Sequence, residues 1–373
     1  MVARKSDLLY NFCAYAHLTK TKSEAMMEVC LDLSHEAPCY SPIDELKKLV
    51  FGGIVDCHGH AVTENTSTQA QYDKRGKKDL ELDDIWVEIG KVRKEALATL
   101  VRRLNYSITR RRAMGICAWQ TYVDVGPDID LDALNVCIEA KRLWRRYGFI
   151  LKIAVYPTLA LKNTAMDALL REACRRQEVD SIGFLPSRER QRGVVKDPAV
   201  FAEMERAFEI AAEFGKGVDM QVDQKNHPEE KETFYLANIA ARYRDMGYKK
   251  PICATHCLSM SAWNDDQLIS YTLTMMAESN VSMIVCPRAT LDNLQIREVL
   301  APTHNSIAPW TLALKAKVNV AVGIDNVRDL YMPWCDGDIW KDVSVLVHSA
   351  RYHGSIEKIA DMLTINGKKA LGL

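Results

Sequence analysis

Short apolar, β-branched runs recur along the chain, each followed by a longer stretch in which apolar positions return every three or four residues. The runs are Gly53–His58, Gly115–Val125, Phe149–Pro157, Asp180–Pro186, Gly217–Asp223, Pro251–Cys257, Val281–Pro287 and Val318–Asp325. Such runs, bounded by Gly, Pro or Asp, predict strands buried on both faces. The stretches between them predict helices. In Lys196–Lys216, Asp197 suits an N-cap, Pro198 the first helical position and Gly215 the stop, while Phe201, Met204, Phe208, Ala211 and Phe214 form one apolar stripe. Asp83–Leu104 repeats the pattern through Ile85, Ile89, Val92, Ala96 and Leu100. Strands alternating with helices in this number predict a (β/α)8 TIM barrel, with an open doubly wound sheet as the alternative. The barrel is expected over residues 51–373, closed by two helices in Asp338–Gly354 and Ser355–Leu373. Residues 1–50 hold no strand series and are expected to form a helical extension, with Lys22–Leu33 as its amphipathic segment.

Composition narrows the function classes. Charged residues make up 26% of the 373, and the formal net charge is zero, so no nucleic-acid partner is expected. The basic clusters Thr109–Gly115 and Lys141–Gly148 fall at predicted helix ends, where cations meet the negative pole of the helix dipole. No run approaches the roughly 20 apolar residues of a membrane span, and the N-terminus has no secretion-signal pattern. Eleven cysteines without a CxxC pair argue against a disulfide framework or a structural zinc module. A reduced cytoplasmic protein is the expectation.

In a barrel, chemistry gathers at the C-terminal ends of the strands. Those ends carry His58 and His60, Tyr122 and Asp124, Thr158, Ser187 and Arg188, then Gln221, Asp223 and Gln224, His256, Arg288 and Asp325. His58 and His60, two apart, point to one strand face. With His256 and Asp325 they offer three imidazoles and a carboxylate, a donor set that suits a catalytic divalent metal with an open position. The alternative for any one of them is a hydrogen-bonded structural residue. Cys57, Cys257 and Cys286 also end strands, where buried cysteine serves as a small apolar filler.

The motifs "VDCHGH", "ATHCLSMSAWN" and "VGIDNVRDLYMPWCDGD", in this order, resemble the amidohydrolase superfamily and within it the cytosine deaminase-like group. "TYVDVGPD", "IAVYP" and "SIGFLPS" at the second, third and fourth strands extend the resemblance over roughly residues 50 to 373. It implies a barrel hydrolase that binds one divalent ion, zinc or iron or else manganese, and attacks a C–N bond in a small cyclic amidine or amide. Asp325 would then act as general base and acid toward a water activated by the ion. A homo-oligomer is a family-level expectation. So is a small flanking β-sandwich, which the sequence does not predict here.

The fifth strand departs from the family pattern. Gln221 stands where the family has a metal-binding His, and Gln224 where it has a proton-shuttling Glu. A carboxamide is a neutral, weak ligand, and it cannot titrate. Asp223, on the strand face of Gln221, offers a substitute carboxylate. Thr158 replaces the amide by which the family reads a base, so a substrate other than cytosine is expected. Arg188 and Arg288 lie where a substrate would enter and could hold an anionic group. The glutamines also keep two alternatives open: a metalloenzyme of another class (lyase, decarboxylase or oxygenase), or a barrel that has lost catalysis and binds.

Overall fold

A computed structural model describes residues 40–76, 93, 97–191, 197–292 and 307–373. Lys22–Leu33 lies outside them, as do Ile85, Ile89, Val92 and Ala96 of the second predicted helix. The eight strands pair in parallel in chain order. They are β1 (Ile54–Asp56), β2 (Ile116–Val125), β3 (Ile150–Pro157), β4 (Ser181–Phe184), β5 (Gly217–Val222), β6 (Ile252–His256), β7 (Val281–Val285) and β8 (Asn319–Val322). Helices follow them in turn: α1 (Leu97–Ala113), α2 (Asp132–Arg145), α3 (Thr164–Cys174), α4 (Asp197–Glu213), α5 (Glu232–Asp245), α6 (Asp266–Glu278), α7 (Trp310–Lys315) and α8 (Ile339–Ser349). The ring is drawn together between the ends of β8 and β1, where Cys57 N donates to Val322 O at 3.0 Å and Asp325 N to His58 O at 3.0 Å. The fold is the predicted (β/α)8 barrel. Among the described residues, no strand lies outside its sheet.

The predicted last helix is broken in two, α9 (Ile356–Leu363) and α10 (Ile365–Leu371), at Thr364, whose backbone leaves the helical region. Gly367 in α10 allows the turn to sit against β1: a Cβ there would lie 2.8 Å from Val55 Cβ. The basic cluster of α1 also differs from expectation. Arg110 and Arg112 end the helix as foreseen, but Arg111 turns inward and is buried.

The core has two layers. Apolar residues such as Phe184, Met204, Phe208 and Met220 fill the space between strands and helices. Inside the barrel, a smaller apolar floor of Val55, Cys57, Ala118, Cys253, Ile284, Cys286 and Ala321 gives way to a polar layer. There Asp219 accepts from Gln120 Nε2 and from Thr255 Oγ1, both at 2.7 Å, so a carboxylate in the barrel interior keeps its hydrogen bonds. Above that layer lie the strand ends.

Candidate metal centre

The first strand stops at Asp56, and the carboxylate of that residue organises the turn after it. It accepts from Ile324 N at 2.9 Å, from His58 N at 3.4 Å and from Arg111 Nε at 2.8 Å. Burial pushes the Asp56 carboxyl up, and the Arg111 guanidinium opposes it. Arg111 also pairs with Glu64 and lies 3.7 Å over the ring of Trp119. One buried cation thus ties the β1 and β8 ends to the following loop. Gly323 permits the contact: a Cβ there would lie 2.7 Å from His58 Cβ and 2.9 Å from His58 N. His256 and Asp325 both adopt left-handed backbone conformations, φ 77° and 72°. Such conformations are costly outside glycine and concentrate at functional sites.

These turns bring the sequence-predicted ligands together. Asp325 Oδ1 lies 3.0 Å from His60 Nε2 and 3.4 Å from His58 Nε2, and Oδ2 lies 3.8 Å from His256 Nε2. The His58 ring meets those of His60 and His256 edge-on, with centroids 5.0 and 5.5 Å apart. His58, His60 and Asp325 each present a ligand atom within 4.8 Å of the others, as do His256, Cys286 and Asp325. His58, His256 and Asp325 are buried, and both ring nitrogens of His58 and Nδ1 of His256 have no hydrogen-bond partner. Buried imidazole nitrogens left unbonded beside a carboxylate fit a cation between them.

The electrostatics agree. Burial would lower His58, yet Asp325 beside it outweighs that and holds it at about 10. Burial would raise Asp325, but His58, His60 and His256 together keep it well below the carboxylate range. His256, which burial pushes down to about 3, stays neutral. Without an ion, a proton on His58 supplies the positive charge that Asp325 requires.

Both glutamines are buried in this site. Gln221 Oε1 accepts from Gln224 Nε2 at 3.1 Å and lies 3.3 Å from His256 Nε2. Asp223 does not share the face of Gln221. It takes φ 55° as the strand ends, and its carboxylate accepts from Glu232 N and Thr233 N at 2.8 and 3.3 Å, capping α5. The expectation of a substitute ligand there is corrected: the turn removes it from the strand alternation. Glu230 beside it accepts from Ser187 Oγ at 3.1 Å and Ser259 Oγ at 2.6 Å.

Of the other predicted strand-end residues, Tyr122 touches the centre. Its ring lies 4.8 Å from that of His58 and 5.4 Å from that of His60, and its hydroxyl donates to Asp219 O at 2.6 Å. Tyr156 stacks on Tyr122 at 5.8 Å, and Arg188 donates to the Tyr156 hydroxyl at 2.7 Å. Arg188 is thereby joined to the histidines through two aromatic rings. Arg288 is not. Its guanidinium donates to Asp336 at 3.1 Å and Asp342 at 2.7 Å, and its third contact is Asp338 O at 2.9 Å. Thr158 is buried with Oγ1 unbonded, and no described contact joins it to the histidines.

Sequence reasoning passed over Tyr156, Asp219 and Asp329. Asp219 Oδ2 lies 3.9 Å from His58 Nδ1, on the fifth strand two residues before Gln221; the alternation that selected Gln221 points to it equally. Asp329, pushed up to about 6 by burial, accepts from Tyr331 N and Met332 N, both at 3.0 Å, and shapes the loop after Asp325.

No family model matches the sequence. The chain is 22% identical over 341 residues to N-isopropylammelide isopropyl amidohydrolase of Pseudomonas sp. strain ADP, covering 89% of this chain and 77% of that protein. It is 25% identical over 269 residues to an uncharacterized protein of Haemophilus influenzae, 69% of this chain and 89% of the other. Among solved structures, 5-methylcytosine deaminase from Klebsiella pneumoniae, liganded with 5-fluorocytosine, superposes with a TM-score of 0.75 at 21% identity. The match covers 86% of this chain and 75% of that one. N-isopropylammelide isopropylaminohydrolase from Burkholderia multivorans gives 0.64 at 19% identity, with the same coverage. The chain thus shares its barrel fold with proteins of deaminase and amidohydrolase type at 19–22% identity, in line with the motif resemblance. Among the described residues, no helix is long and apolar enough to cross a membrane.

Proposed function

We propose that this protein is a metal-dependent hydrolase of the amidohydrolase type, cleaving a C–N bond of a small cyclic amidine, amide or related heterocycle other than cytosine. The observation that carries the reading is the convergence of His58, His60 and His256 on the two oxygens of Asp325, at 3.0 to 3.8 Å, above the barrel's polar layer. These four would hold one divalent ion, zinc or iron or else manganese, with Gln221 Oε1 as a neutral further donor. When bound, such an ion lowers the pKa of a water from about 16 toward about 7.

The chain's own residues supply the rest. Asp325 is the carboxylate that can take a proton from the attacking water and return it to the leaving nitrogen. Gln224 donates its amide to Gln221 and holds that oxygen toward His256. It has no proton to give to a ring nitrogen, which separates this site from one that protonates cytosine with a glutamic acid. Tyr122 and Tyr156 offer a stacked aromatic wall to a flat ring, and Arg188 lies at its far edge. The test is product analysis. Zinc-, iron- and manganese-loaded protein is incubated with cyclic amidines, cyclic amides and carboxylated heterocycles, and ammonia or amine release is measured. Release that chelation abolishes supports the reading; decarboxylated or oxidised products without C–N cleavage overturn it.

A further inference from the structure

Resting on the reading that this site holds a divalent ion, we infer that Cys286 is a ligand of that ion, supplying a stronger donor than the Gln221 carboxamide on the fifth strand. The sulfur does not lie in the apolar floor alone. Cys286 directly follows β7, and its Sγ falls within 4.8 Å of the ligand atoms of both His256 and Asp325. It also borders the glycine that admits His58: a Cβ at Gly323 would lie 3.2 Å from Cys286 Sγ and 2.7 Å from His58 Cβ. In that group the carboxylate oxygen Asp325 Oδ2 lies 3.8 Å from His256 Nε2, the nitrogen that also faces Gln221 Oε1. An imidazole, a carboxylate and a sulfur at this separation form a donor set for a thiophilic ion such as zinc. Gln221 contributes an uncharged oxygen where an imidazole would bind more tightly, and a thiolate from the seventh strand restores donor strength.

Burial, with Asp325 and Asp56 nearby, pushes the Cys286 thiol well up, so without an ion it is a neutral filler. Coordination removes the proton outright. The S–H bond breaks, a metal–sulfur bond forms, and the proton leaves to solvent. Hard oxygen-preferring ions gain little from this exchange, so the thiol also sets the preference for zinc over magnesium or calcium.

The experiment is X-ray absorption at the zinc edge of the full chain loaded with one equivalent of zinc, with cobalt-substituted protein read by optical absorption. The expected result is a sulfur shell at about 2.3 Å beside nitrogen and oxygen at about 2.0–2.2 Å, with a thiolate-to-cobalt charge-transfer band in the near ultraviolet. Cys286→Ser loses both the sulfur shell and the band while the visible cobalt bands persist. Cys57→Ser, altering another buried strand-end thiol, keeps them. Zinc bound to wild type with no sulfur shell overturns the inference and leaves the metal site standing. A sulfur shell that survives Cys286→Ser also overturns it. Failure of wild type to bind either ion removes the metal site itself, and this inference with it. If Cys286→Ser does not fold, Cys286→Ala carries the same comparison, and a wild-type spectrum without a sulfur shell overturns the inference on its own.

Discussion

Gln224 donates its side-chain amide to Gln221 Oε1 at 3.1 Å, and that same oxygen faces His256 Nε2 at 3.3 Å. The two glutamines therefore act as a pair: one offers an oxygen to the centre and the other fixes its direction. A carboxylate at position 224 would reverse the pairing, because two acceptors cannot share one contact. Gln221 would then have to turn its NH2 toward position 224, withdrawing the oxygen. Gln224→Glu is expected to lower zinc affinity by about 10- to 100-fold, the usual cost of removing an orienting partner. Adding Gln221→His should restore affinity to wild type or above, since an imidazole donates to the carboxylate from one nitrogen and binds the ion with the other. Competitive zinc titration of the three proteins checks this.

The charge pattern around Asp325 sets a pH profile for metal-free protein. His58 is held at about 10, above its ordinary 6.5. Its stabilising contribution is complete below 6.5 and is lost as pH rises through about 10. His256 has the opposite sign: pushed down to about 3, it stays neutral where the unfolded chain binds a proton, so stability falls as pH drops below 6.5. Asp325, held well below 3.8, adds stability above that value and loses it as pH falls through its folded pKa. Stability in chelator should therefore peak near pH 6.5. Added zinc should stabilise most at the alkaline end, where it replaces the departing proton. Thermal unfolding from pH 4 to about 10 with and without zinc reads this directly.

Arg188 and Arg288 look alike in sequence and differ in structure. Arg188→Ala should raise KM by about tenfold, the value of one hydrogen bond to a charged group, with a small change in Tm. Arg288→Ala leaves buried Asp342, itself pushed up to about 7 by burial, without its guanidinium. It should cost about 3 kcal/mol of stability and leave KM unchanged. Steady-state kinetics beside thermal denaturation separates the two.

Gly323→Ala places a methyl 2.7 Å from His58 Cβ and 2.9 Å from its amide nitrogen. The collision is with backbone as well as side chain, so His58 must move. We expect a loss of about 1–3 kcal/mol in stability, together with reduced zinc binding, measured by denaturant unfolding and metal content.

The barrel was legible because strand and helix periodicities alternate without interruption, and all eight strands fall inside the predicted runs. The strand-end rule likewise found His58, His60, His256 and Asp325, which the structure brings together. What escaped depended on backbone turns and on partners distant in sequence. Asp223 obeys strand alternation only until its positive φ. Arg111 reads as one of three helix-end cations, and only the fold brings Asp56 and Glu64, 55 and 47 residues away, to its guanidinium. Arg288 reads as a loop cation until Asp336 and Asp342 close on it from the eighth βα unit. Asp219 sits on a predicted strand, but its partners Gln120 and Thr255 come from β2 and β6.

The most direct test of the metal centre is elemental analysis of the protein purified without added metal, beside Asp325→Asn and His58→Asn. The expected result is about one zinc, iron or manganese ion per wild-type chain, lost in both variants, with a Tm that falls on chelation and returns on reloading. Wild-type protein that holds no metal after reconstitution, with a Tm indifferent to added ions, would contradict it.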